Sequence, residues 1–116
     1  MDVLKWDLTG FLREIDGDLE TGEELLAIFL ETVPQILTEI EEALHRGDLL
    51  KACEQAHSLK GAAGTVHLEA MREEAFALET SRNPEEARRH LERLRELFKI
   101  FRQKAEEVES LRDLLV

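Results

Sequence analysis

Asp48-Leu49-Leu50-Lys51-Ala52-Cys53-Glu54-Gln55-Ala56-His57-Ser58-Leu59-Lys60-Gly61-Ala62-Ala63-Gly64-Thr65-Val66 is the stretch on which the reading of this chain turns. Leu49, Ala52, Ala56, Leu59, Ala63 and Val66 recur at spacings of three and four, the pattern of one buried stripe on an α-helix. Gly47 fits the left-handed position after a preceding helix, and Asp48 is a capping residue for the next, so a helix is expected over about 49–65. His57 falls beside the apolar stripe and should be partly exposed. Lys60, Gly61 and Gly64 follow it at i+3, i+4 and i+7 and share its face. A glycine inside a helix costs about 1 kcal/mol relative to alanine, so two of them beside a histidine imply that something large approaches there.

Working outward, the same rhythm recurs on both sides. Asp7 can cap a short helix over about 8–16, with Trp6 and Phe11 placed as a hydrophobic staple, and Asp16-Gly17-Asp18 ends it. Thr21-Gly22-Glu23-Glu24 reads as a capping box opening a helix over about 22–46, whose stripe is Leu26, Phe29, Val33, Ile36 or Leu37, Ile40 and Leu44. Pro34 lies inside it and predicts a kink in one helix rather than a break into two. Leu68, Met71, Ala75 and Leu78 give a helix over about 68–82. Asn83-Pro84-Glu85-Glu86 supplies a cap, a proline at the first helical position and an acidic first turn, opening a helix expected over about 84–112. Its stripe runs through Leu91, Leu94, Phe98, Phe101, Ala105 and Val108 to Leu111 and Leu115, and at 1.5 Å per residue its last turns would outrun the core. The fold class is all-α: an up-and-down four-helix bundle with a short extra N-terminal helix, in one domain over 1–116.

Composition agrees with that class. At 116 residues, with 2 prolines, 6 glycines and no tyrosine, the chain has room for one core and little of what a turn-rich sheet protein uses. One cysteine, Cys53, excludes an intramolecular disulfide and reads as a core residue, because no second pair with metal-ligand spacing accompanies it. The N-terminus lacks the features of a secretory leader and no stretch approaches a membrane span, which places the chain in the cytoplasm. A net charge of −11 works against binding nucleic acid. Charge is uneven, with 8 acidic and 2 basic side chains over 1–24 but 8 basic and 4 acidic over 81–104, and the basic strip reads as a solvated helix face partly paired with acidic neighbours.

The residues around His57 carry the chemistry. A histidine that accepts a phosphoryl group must keep one ring nitrogen's lone pair free, which is easier if the other nitrogen donates its proton to a fixed acceptor such as a carboxylate. Once phosphorylated it brings negative charge, which the Lys60 ammonium one turn away can offset. A side chain at i+4 would obstruct the carrier of the phosphoryl group, and Gly61 leaves that approach open.

The run Ala56-His57-Ser58-Leu59-Lys60-Gly61-Ala62-Ala63-Gly64-Thr65-Val66 resembles the signature of the histidine-containing phosphotransfer (HPt) domains of two-component phosphorelays. Gly17-Asp18, Leu25-Leu26, Phe29-Leu30, Pro34, Ala43-Leu44 and Gly47-Asp48 upstream, and Leu68, Ala75 and Leu78-Glu79 downstream, are similar to the same family's neighbouring helices. The resemblance covers about 7–82 by motif and the last helix only by pattern. It implies that His57 is phosphorylated reversibly on Nε2, exchanging the group with aspartates of response-regulator receiver domains. Lys60 would then balance phosphate charge, Gly61 give access, and Glu79 be the candidate group orienting the imidazole. It implies no cofactor in this chain, with Mg²⁺ held by the receiver partner. One departure is His67, where the family usually has glycine. If that turn needs positive φ, histidine is among the better-tolerated substitutes.

No nucleotide loop or nucleophilic triad pattern is visible, so the chain reads as a phosphoryl carrier with no ATP site and no metal site, not an enzyme. Its expected partners are receiver domains and/or a hybrid histidine kinase, with a monomer the simpler expectation. Two other readings stand beside this one: the N-terminal phosphoacceptor domain of a chemotaxis-type histidine kinase, and a helical interaction module without phosphotransfer. His45, His67 and His90 lack a companion lysine and glycine and read as surface or turn residues.

Overall fold

The computed structural model describes residues 2–108 and 110–115, with the side chain of Leu115 left aside. Five α-helices are found among them: α1 (Leu8–Glu14), α2 (Leu19–His45), α3 (Leu49–Thr65), α4 (Glu69–Glu79) and α5 (Pro84–Glu106). A 3₁₀ turn, Leu111–Leu115, follows. In the bundle α3 packs between α2 and α4, and α5 closes the ring against both α4 and α2. The architecture is the all-α up-and-down bundle expected, with α1 as the extra N-terminal helix. Its core is the set of stripes brought together, with Phe29, Val33, Ile40, Ala52, Ala56, Leu59, Ala63, Met71, Ala75, Leu78, Leu91, Leu94 and Phe101 all buried.

Helix boundaries follow from capping. Asp7, Asp48 and Asn83 each accept a hydrogen bond from a first-turn backbone N–H, as their positions imply. α2 begins three residues earlier than the capping-box reading. Asp18 is the cap, accepting from Thr21 N at 3.3 Å, and the Thr21 hydroxyl donates to its other oxygen at 2.8 Å. One carboxylate with two local donors outcompetes a threonine cap three residues on, and Glu24 is not needed. α2 runs on unbroken through Pro34. α1 ends at Glu14 and α4 at Glu79, each short of the expected 16 and 82.

Three of the helices end in the same way. Gly47 N donates to Leu44 O and Asp48 N to Ala43 O, the paired closure that requires a left-handed residue, here Gly47 at φ 76°. α1 repeats it with Asp16 at φ 53° and α3 with His67 at φ 61°. His67 thus takes the conformation a glycine would. Its ring is held by Glu14 of α1 and lies 3.8 Å from Asp7, so the strain of a side chain at positive φ is offset by contacts only a side chain can make.

α4 starts at an unusual cap, Leu68, which has no side-chain acceptor to offer. Its first donors are satisfied from outside the helix: Glu69 N bonds Lys5 O at 3.2 Å and Ala70 N bonds Leu4 O at 3.1 Å. Trp6, read as a staple to Phe11, donates its indole N–H to Val66 O at 2.9 Å and sets its ring edge-on to Phe101, 5.3 Å between centroids. The chain's first residues thereby clamp the α3–α4 turn.

The C-terminus corrects the sequence reading most. α5 stops at Glu106 instead of running to 112, and the chain turns back so that Leu111 is buried beside Gly22, its backbone N–H bonded to Glu23 Oε1 at 2.9 Å. A straight continuation would carry Leu111 past the end of the core, whereas turning back removes it from water. On the solvent side of α5, Arg95 pairs with Glu41 of α2 at 2.8 Å and Arg88 donates to Leu44 O at 3.1 Å, so the basic strip is partly paired.

Candidate functional site

α3 and α4 run antiparallel, which brings residues near the middle of α3 opposite the end of α4. His57 Nδ1 lies 2.7 Å from Glu79 Oε2. Lys60 Nζ lies 2.8 Å from Glu79 Oε1, an oxygen shut off from solvent. One carboxylate thus bridges an imidazole and an ammonium. Glu79 is the last residue of α4, where the helix dipole disfavours an anion, so its place there depends on these two partners. The Lys60 ammonium, the largest influence, holds the Glu79 carboxyl below its ordinary 4.5; partial burial acts the other way and the bond to His57 adds to the lowering.

A carboxyl lowered in this way is ionised at neutral pH and can only accept. The neutral His57 ring must then donate from Nδ1, which leaves the lone pair on Nε2. The side chain of His57 is 67% exposed, so that nitrogen is open to an incoming group. Because Glu79 titrates lower in the folded chain than in the unfolded one, its contribution to stability is fully present above about pH 4.5 and is lost as pH falls through the lowered value. A carboxyl-carbon NMR titration should place the Glu79 midpoint below 4.5, and Lys60→Ala should move it up.

Gly61 has no neighbour within 4 Å of where a Cβ would sit, and at Gly64 the nearest atom is Arg72 Cδ at 3.5 Å, an ordinary contact. The protein's own packing therefore asks for neither glycine. Gly61→Ala should raise stability by about 0.5–1 kcal/mol, seen as a melting point higher by a few degrees. If the bare backbone serves an external partner, the same variant should transfer phosphoryl groups more slowly; an unchanged rate would remove the access role.

The structure brings together the four residues singled out from sequence, His57, Lys60, Gly61 and Glu79, on one patch of α3 and α4. It modifies the reading of Lys60, which in the resting protein is engaged by Glu79. Cys53 is half-buried, bonded to Leu78 O at 3.6 Å, and borders a hollow with Glu54, His57 and Glu79. Burial and the Glu79 charge push its thiol up, away from reactivity. Sequence reasoning passed over Phe76, whose ring lies 5.1 Å from Lys60 Nζ. The signal was present as an aromatic off the Leu68, Met71, Ala75, Leu78 stripe, three residues before Glu79.

The model of the Hpt domain family matches residues 24–114, most of the chain. The chain belongs to the Hpt domain family. Hpt domains are phosphotransfer modules of two-component signalling that work with receiver domains and histidine kinases, and generally carry phosphoryl groups without being enzymes. No curated protein and no solved structure gave a match. Among the described residues of this Hpt domain, no helix is long and apolar enough to cross a membrane, and no group of His, Cys, Asp and Glu has the arrangement of a metal site.

Proposed function

We propose that this Hpt domain, acting as one unit over its whole length, carries a phosphoryl group on Nε2 of His57 between aspartates of receiver domains. The observation that carries the reading is the Glu79 carboxylate bridging His57 Nδ1 and Lys60 Nζ beside the bare backbone of Gly61. In the forward step the Nε2 lone pair attacks the phosphorus of a receiver's aspartyl phosphate. The N–P bond forms, the P–O bond to the aspartate breaks, and the carboxylate leaves with its electron pair. Glu79 keeps the Nδ1 proton in place and stabilises the positive charge the ring gains. Lys60, within reach of both groups, offsets the phosphoryl charge.

Every catalytic ion in this scheme lies on the partner, with Mg²⁺ and the acidic residues that hold it in the receiver domain; the carrier supplies an oriented nucleophile and an open surface. Cytoplasmic residence follows from such partners. The test is incubation with a phosphorylated receiver domain and Mg²⁺. The protein should acquire a label that is labile in acid and stable in base, as a phosphoramidate is. Absence of label would sink the proposal.

A further inference from the structure

Phe76 is an aromatic side chain in the wrong place for packing. It lies on the outer face of α4, 51% exposed, while Ala75 and Leu78 beside it fill the core. It lies three positions before Glu79 on α4, so the two share one helix face. What its ring meets is the Lys60 ammonium, 5.1 Å from the centroid. Lys60 and Phe76 border one open hollow with Gly61, Gly64, Arg72 and Glu73. The lysine side chain is only 27% exposed, whereas His57, one turn away, is 67% exposed. The same ammonium lies 2.8 Å from Glu79 Oε1, so carboxylate and ring face meet it together.

We propose that Phe76 is a positioning residue for phosphoryl exchange: its ring face holds the Lys60 ammonium between Glu79 and His57. The proposal rests on reading His57 as the phosphoacceptor. A lysine has a long stem with many rotamers, and a free one beside His57 would spend most of its time in water. An aromatic face attracts the cation from any direction across its surface, unlike a directed hydrogen bond. The ammonium can therefore swing from the Glu79 carboxylate to a phosphoryl oxygen on Nε2 while staying over the ring.

The experiment compares Phe76→Leu, which keeps an apolar side chain but removes the ring, with Phe76→Tyr, which keeps the ring. Two quantities are measured: the transfer rate from a phosphorylated receiver domain, and the Glu79 titration midpoint by carboxyl-carbon NMR in the unphosphorylated protein. Phe76→Leu should slow transfer by about two- to fivefold and raise the Glu79 midpoint toward its ordinary value, while Phe76→Tyr restores both. Wild-type rate and midpoint in Phe76→Leu would overturn the proposal. So would a slow rate with an unmoved midpoint, because the ring would then serve packing or docking and not Lys60. If wild-type protein takes no label, the His57 reading itself fails and this role falls with it, whatever the midpoint does.

Discussion

His57→Gln should take no acid-labile label from a phosphorylated receiver domain, while its melting curve overlays that of the wild type. Both halves follow from where the side chain sits. His57 is mostly exposed; among the described residues its side chain bonds Glu79, which keeps Lys60 as a partner when the imidazole is gone. Glutamine is a good helix former, so α3 should stand within about 0.5 kcal/mol of its original stability. The amide nitrogen of glutamine has its lone pair delocalised into the carbonyl and is no nucleophile. Three histidines remain to take label if any surface imidazole would serve. His67 uses its Nε2 on Glu14, and His90, which like His57 bonds a carboxylate through Nδ1, is only 30% exposed against 67% for His57. Label surviving in the variant would move the phosphoacceptor elsewhere.

Phe101→Ala should have the opposite profile, leaving the site chemistry intact in the folded fraction but lowering the melting point by about 12–30 °C. Phe101 is 1% exposed and stands edge-on to two other rings, Trp6 at 5.3 Å and Phe29 at 5.5 Å. Truncating a buried phenylalanine costs about 3–5 kcal/mol. Losing two edge-to-face contacts argues for the upper part of that range. Against a total stability of about 5–15 kcal/mol for a domain, that is a large fraction. At roughly 3–6 °C per kcal/mol for a chain of this size, the stated shift follows. Thermal denaturation followed by circular dichroism measures it; a change under 3 °C would mean that α5 can close over the gap without the ring.

The contrast between Phe101 and Phe76 shows what could be read in one dimension. Phe101 belongs to the 3,4 stripe of α5, and its burial follows from spacing alone. Phe76 is off its stripe, and an off-stripe aromatic acquires meaning only when its neighbour across the bundle is known to be Lys60. Glu79 lay between these cases. Its pairing with His57 depended on register through the α3–α4 turn, which the left-handed conformation of His67 sets. The helix starts at Asp48 and Asn83 were legible because each had a single strong capping candidate; α2 had two, Asp18 and Thr21, and only the backbone geometry shows which one wins. At the C-terminus, Leu111 continued the rhythm of α5 perfectly well. Periodicity cannot register that a core has ended, and Leu111 is buried only because the chain folds back to α2.

The clamp formed by the first residues makes the protein carry its own optical probe. Trp6 is the only tryptophan in the chain and tyrosine is absent, so excitation at the red edge of the aromatic band reports a single indole. That indole is bonded to Val66 O, where α3 turns into α4, and stacked edge-on against Phe101 of α5. Its emission therefore follows detachment of the N-terminal segment from the turn, and a stopped-flow trace would time that release against the loss of helix signal with no label attached.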